Sequence, residues 1–243
     1  MIIRPHGSAQ LLITQPDHAA LAGRIMQHWA ADEFGALPHR AGILRAIAEH
    51  DNGWREVDGV PLVDPATGHL LDFVHAPDAV RQGVWPRGVR RLAQIPYAAA
   101  LVAQHALEIY ARYRPEPAWE PFFAEMEAAR GRQLRRASLG LEELQRDYLF
   151  VRAGDLISLT FCTGWRDEQA IAGRYLVHLE GDELLVTPDP FAGRIIPIVI
   201  AGVEMPETRF STITGADEAF RRARRVQLTG TVRGGDRTRL RLR

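Results

Sequence analysis

Near Gly173 the sequence changes texture, and that break limits the folds open to the chain. Before it, apolar residues recur at three- and four-residue spacing through long segments; after it they fall into short β-type runs. The periodicity predicts six helices. The first is opened by Thr14, carries Pro16 and Asp17 in its first turn, and runs to about Ala31 on Leu21, Ile25 and Trp29. The second covers 38–51, and the third starts at Asp78 and is broken or kinked at Pro86. The others cover 96–110, 119–136 and, behind a Ser138 cap, 141–163. Strands are expected over 175–179, 184–187, 195–200, 226–232 and 238–242, with hairpin signals at Gly181-Asp182 and Gly234-Gly235 and a short helix near 216–224. Residues 2–13 read as a short apolar strand, a turn at His6-Gly7-Ser8 and a second apolar segment. The expected class is therefore mainly α: a helical body over 1–170 and a small β-rich appendage over 171–243.

Composition narrows the function classes. Thirty basic residues cancel thirty acidic ones, so net charge gives no argument for nucleic acid or an anionic membrane as partner. Nine arginines crowd the last 23 residues (Arg221, Arg222, Arg224, Arg225, Arg233, Arg237, Arg239, Arg241 and Arg243) and read as a solvated edge with arginines alternating on strands. The single cysteine, Cys162, excludes an intrachain disulfide and sits in an apolar run, which reads as a buried inert thiol. No charged-then-apolar leader pattern and no run of 18 apolar residues occurs, so a cytoplasmic protein is expected. No GxGxxG or P-loop pattern supports a nucleotide cradle.

Several polar residues stand where apolar ones are expected. The second helix ends in His50-Asp51 and breaks at Asn52-Gly53. At a helix end two adjacent side chains can lean into one cleft and grip an ion from two directions. His18 lies in a first turn, His105 between Leu101, Val102 and Ile109, and Asp155 beside Leu156, Ile157 and Leu159. A carboxylate so placed costs several kcal/mol unless it is paired, with Arg152 or Arg166 for instance, or bound to a metal. Each residue alone reads as a satisfied core or surface group. Together, on separate helices, they form a mixed nitrogen and oxygen set suited to Fe, Mn or Zn more than to Mg.

The ordered pattern His18 … His50-Asp51 … Asp155 resembles the H…HD…D signature of the HD-domain superfamily of metal-dependent phosphohydrolases. The segment Ala153-Gly154-Asp155-Leu156-Ile157-Ser158 is similar to that family's terminal helix motif, with Gly154 as a departure, and His105 matches the extra histidine of members that hold two metals. The stretches 13–23, 50–54 and 156–162 look more narrowly like a bacterial HD-like family of unknown function. The resemblance implies an HD-like helical bundle holding one or two divalent ions on His18, His50, Asp51, His105 and Asp155, with Asp51 bridging if there are two. It implies hydrolysis of a small phosphorylated substrate by metal-activated water, with Asp51, His105 and Arg55 as the catalytic set. Arg55 and Arg24 are candidates to steady phosphate charge, Trp54 is core or pocket wall, and the loop over 56–76, with Asp72 and Phe73, is a lid or a solvated connector. The alternatives are an HD-like di-iron oxygenase and a non-catalytic metal- or ligand-binding protein. The β-rich tail is expected to dock on its own body or on a second copy of the chain.

Overall fold

Residues 1–235 are described by a computed structural model. Its helices are α1 (Gln15–Met26), α2 (Arg40–Glu49), α3 (Asp78–Arg91), α4 (Pro96–Ile109), α5 (Glu120–Ala137), α6 (Leu141–Thr163) and α7 (Ile213–Arg222). Its strands are β1 (Ile2–His6), β2 (Ala9–Ile13), β3 (Leu62–Val63), β4 (Leu70–Leu71), β5 (Gln169–Ile171), β6 (Tyr175–Glu180), β7 (Glu183–Thr187), β8 (Ile195–Pro206) and β9 (Arg224–Gly234).

Seven strands form one curled mixed sheet in the order β1-β2-β8-β9-β7-β6-β5, antiparallel except where β7 meets β9. This overturns the expectation of a mainly α, HD-like helical bundle with a small β-rich appendage: the sheet is a large part of the molecule. The physical reason lies at the N-terminus. The hairpin β1-β2 would be marginal alone, but β2 pairs with β8, Leu12 opposite Val203, and so draws residues 2–13 into the sheet. That pairing spans most of the chain and leaves no local signal. It also fixes Gly202, where a Cβ would stand 2.6 Å from a Leu11 methyl. The strand read over 195–200 therefore runs twice as far, with β9 laddered along it from Arg233 to Arg224. Arg224 bonds Glu204 and Arg233 bonds Glu183, so two of the C-terminal arginines make cross-strand pairs. Arg237, Arg239, Arg241 and Arg243, and the strand expected over 238–242 beyond the Gly234-Gly235 turn, lie outside the described residues.

Most helices fall where their periodicity predicts, with instructive differences. The first helix ends at Met26, and Asp32 and Glu33 turn the chain with positive φ. Trp29 keeps the apolar rhythm because it is buried against Phe150, Tyr175 and Phe191, not because it is helical. Pro86 stands inside an unbroken α3, which is anchored by buried Val84, Trp85 and Val89. Ser138 closes α5 in the left-handed region, and the α6 start is instead held by Glu143 accepting the Gly140 N–H. The long loop holds the β3-β4 hairpin and is tied to the residue before β1 by the Phe73 N–H to the Met1 carbonyl.

Helix α6 is the central element. It packs on α1, α2 and α4 on one side and on β1, β5, β6 and β7 on the other. Its second half, 153–162, is therefore buried throughout, and the sequence there is apolar nearly all round. One hydrophobic core joins Leu21, Ile47, Val102 and Ile157 of the helices to Val177, Val186 and Ile198 of the sheet. Gly154 allows the close approach: a Cβ there would lie 2.7 Å from Ile47 Cγ2 and 3.0 Å from Met26 Cγ. The departure from the expected helix motif is thus what lets α6 meet α1 and α2. Cys162 is fully buried there, and burial pushes its thiol pKa up, as an inert thiol requires. No described helix is long and apolar enough to cross a membrane.

Candidate metal centre

Four elements deliver the polar residues to one point. His18 projects from the first turn of α1, whose N-terminus is fixed by Thr14 Oγ1 accepting the Asp17 N–H. His50 ends α2, and Asp51 follows it at the entry to the short 3-10 turn Asn52–Trp54. That turn is pinned because Gly53 lies against α3, where a Cβ would stand 1.9 Å from the Val84 carbonyl oxygen. His105 comes from α4 and Asp155 from α6. All five are buried, none more than 6% exposed.

The geometry is tight. His18 Nε2 and His50 Nε2 are 3.0 Å apart. Asp51 Oδ2 lies 3.2 Å from the first and 3.5 Å from the second. Asp155 Oδ1 lies 3.6 Å from His18 Nε2 and 3.5 Å from His50 Nε2. Hydrogen bonds on the far side of each ring assign the tautomers. The Ile47 carbonyl, 2.8 Å from His50 Nδ1, takes a proton from it, which leaves a lone pair on Nε2 of the neutral ring. Ser158 Oγ donates to the Asp155 carbonyl at 3.1 Å and so accepts from His18 Nδ1 at 2.8 Å, leaving the His18 Nε2 lone pair free as well. Two nitrogen lone pairs and two carboxylate oxygens therefore face one another, which is tenable only around a positive charge.

Titration leads to the same requirement. Burial opposes a charge on His50, but Asp51 and Asp155 outweigh it and raise its pKa to about 9. Burial would lift the Asp155 pKa, yet the His50 hydrogen bond and the surrounding imidazoles hold it well below the carboxylate range. His105 is pushed down to about 3, chiefly by burial, and is neutral. A proton on His50 Nε2 can serve one acceptor at a time. The near-equal spacings suit a single central cation better: ligands about 2.1 Å from an ion stand roughly 3.0–3.4 Å from each other. The buried groups His18, His50 and Asp51, and again His50, His105 and Asp155, can hold a metal ion.

His50 is common to both groups, Asp51 stands in the first and Asp155 in the second. The Asp155 Oδ1 faces His18 and His50, while Oδ2 lies 3.8 Å from His105 Nε2 and 3.0 Å from Arg152 Nη1. Arg152 is thus its ion-pair partner, whereas Arg166 bonds the Leu179 and Gly181 carbonyls.

The other sequence candidates fall elsewhere. Arg24 bonds the Val199 carbonyl and ties α1 to the sheet. Arg55 is exposed and lines a surface cleft of about 480 Å³ with Asp17, Glu49, Asn52 and Asp58. Asp17, Glu49 and Asn52 directly adjoin His18, His50 and Asp51 in sequence, and successive helical residues point about 100° apart. Trp54 is core, 2% exposed. Asp72 pairs with His75 within its own turn, and Phe73 packs against the core with its N–H on the Met1 carbonyl.

Sequence reading missed Ser158 and Tyr148, the latter with its hydroxyl 2.9 Å from His105 Nδ1, and named Arg152 only as a charge partner. A signal was present: residues 148, 152, 155 and 158 recur at helical spacing and put Tyr, Arg, Asp and Ser on one stripe of α6.

A buried histidine and carboxylate centre at the meeting point of helices beneath a curled sheet defines a candidate metal-binding protein. The chain belongs to the family described as a protein of unknown function (DUF3891), whose family model matches residues 1–207. That span covers all five residues of the centre. No match is found among curated proteins or among solved structures.

Proposed function

We propose that this chain is a metal-dependent hydrolase acting on a phosphate ester. The observation that carries the reading is the convergence of two imidazole lone pairs and two carboxylate oxygens at 3.0–3.6 Å, with each tautomer set from behind. His18, His50, Asp51 and Asp155 hold the ion, and His105 stands beside it. The mixed donor set favours Fe, Mn or Zn over Mg. A bound ion supplies a water of lowered pKa and polarises a phosphoryl oxygen. The chain's own part is to fix the ligands: Ser158 and the Ile47 carbonyl hold the imidazoles, and Arg152 holds Asp155. The order of ligands, His18 then His50-Asp51 then Asp155, is the order of HD-domain phosphohydrolases and supports the same chemistry here.

The test is elemental analysis of protein purified without chelator, followed by hydrolysis assays on a panel of phosphate esters with and without added Mn, Fe or Zn. Metal-dependent phosphate release is the expected result. Bound metal with no release from any ester tells against the reaction while sparing the site. A second reading, a di-iron oxygenase, draws on the overlapping second group His50, His105 and Asp155. Iron together with oxygen-dependent substrate consumption would replace the hydrolase reading.

A further inference from the structure

The donors are sealed from solvent almost everywhere. His18 and His50 are 1% exposed and His105 is 2%. Two side chains that contact the donors, Arg152 and Tyr148, reach toward the surface, and both stand on α6. Arg152 Nη1 bonds Asp155 Oδ2, yet the Arg152 side chain is 38% exposed. Among the described residues its Nε and Nη2 make no hydrogen bond. Tyr148, one turn earlier on the same stripe, is half-buried with its hydroxyl on His105 Nδ1. Glu108, exposed on α4, is held by Gln104 Nε2 at 2.7 Å.

We infer that substrate reaches the centre between α4 and α6, and that the outward N–H groups of Arg152 receive its phosphoryl group. The inference rests on the phosphate-ester reading and names the residue that reads the anion. Among the described residues, Arg152 is the guanidinium ion-paired with a residue of the ligand set. One edge of its planar fork is spent on Asp155, which fixes the group and lowers the entropy lost when an anion docks on the other edge. A lysine would offer a point charge without that division of labour. Arg24 and Arg55, the arginines singled out from sequence, are placed on the sheet side and in the surface cleft. Tyr148 acts as a positioning residue at the same mouth, through its hydrogen bond to His105.

The test loads the whole chain with Mn, measures the metal content of every sample, and titrates inorganic phosphate by calorimetry. Wild type should bind phosphate. Arg152→Gln should bind it roughly ten- to hundredfold more weakly at unchanged metal content, the loss expected for charged hydrogen bonds. Arg152→Lys should lose less, and Arg55→Gln nothing. Equal phosphate affinity in wild type and Arg152→Gln at equal metal content overturns the inference and leaves the metal centre standing; so does metal-loaded wild type that binds no phosphate. A wild type that retains no Mn, Fe or Zn sinks the metal reading and this inference with it. Should Arg152→Gln shed its metal, the wild type decides by phenylglyoxal modification mapped by mass spectrometry. Phosphate should slow modification at Arg152 and not at Arg24 or Arg55; an unchanged rate at Arg152 overturns the inference.

Discussion

The α1–α2 pair carries polar groups in two places, and the two differ in kind. In the surface cleft the carboxylates are answered where they stand. Thr14 Oγ1 donates to Asp17 at 2.6 Å, and Glu49 takes Arg45 at 2.9 Å and Asn52 at 3.2 Å. Asp58 accepts the Gln15 N–H and the Met1 ammonium, each at 2.6 Å. In the buried centre the same kinds of side chain meet acceptor to acceptor. The cleft has the volume, but the centre has the unmet demand for a cation. Unanswered lone pairs point to function more directly than size does, because a buried arrangement of that kind is costly unless something binds it.

The largest expected effect breaks the comparison at its stronger end. His50→Ala and Asp155→Ala should each bring retained metal to background by elemental analysis, while the helical circular dichroism signal persists. Full occupancy in both variants would remove the distinction between centre and cleft. Next comes a packing contrast between the two sides. Gly154→Ala drives a methyl into Ile47 and Met26 behind the centre and should cost about 1–3 kcal/mol in denaturant unfolding. Gly59→Ala, in the 3-10 turn next to cleft-lining Asp58, meets no atom within 4 Å and should stay within about 0.5 kcal/mol of wild type. Equal losses would mean that the core behind the centre is looser than its contacts imply.

How much of this was legible in the sequence depended on whether a feature was local. The span of α6 follows from its own periodicity, and Asp155 stood out because its immediate neighbours are Leu156, Ile157 and Leu159. The set His18, His50, Asp51, His105 and Asp155 could be assembled because each member is anomalous on its own helix. The sheet was not legible, since the partner of Leu12 is Val203 and no stretch between them announces the pairing. Trp29 misled because burial against sheet and helix aromatics mimics a helical repeat. Arg55 stands one short turn beyond Asp51 and lines the cleft, a placement that its sequence position alone did not reveal. Arg152 was readable as a partner of Asp155 three residues on, whereas Tyr148 was readable only once α6 was treated as a stripe rather than a string.

A smaller effect sharpens the account of the centre itself. Ser158 touches no donor atom of the ligand set directed at the ion; it holds the His18 ring from behind. Ser158→Ala should weaken metal affinity roughly ten- to hundredfold, the usual cost of losing such a partner, with the fold intact. Competition against a chromogenic chelator measures it. Unchanged affinity would mean that the His18 tautomer is set by the ion alone.

The smallest expected effect falls on the cleft, where a null result carries the weight. Arg55 is exposed and makes no hydrogen bond or ion pair among the described residues. Arg55→Gln should therefore leave metal content unchanged and stability within about 0.5 kcal/mol, and any ester hydrolysis should keep its kcat/KM. The contrast with Arg152 is the point of the measurement. Both are arginines within a few residues of a ligand, one facing the centre across Asp155 and the other facing the cleft. If Arg55→Gln lowers kcat/KM tenfold or more while Arg152→Gln does not, then substrate lies in the cleft and is reached through Asp51. The two regions would then be halves of one site, joined through the ligand helices rather than separated by them.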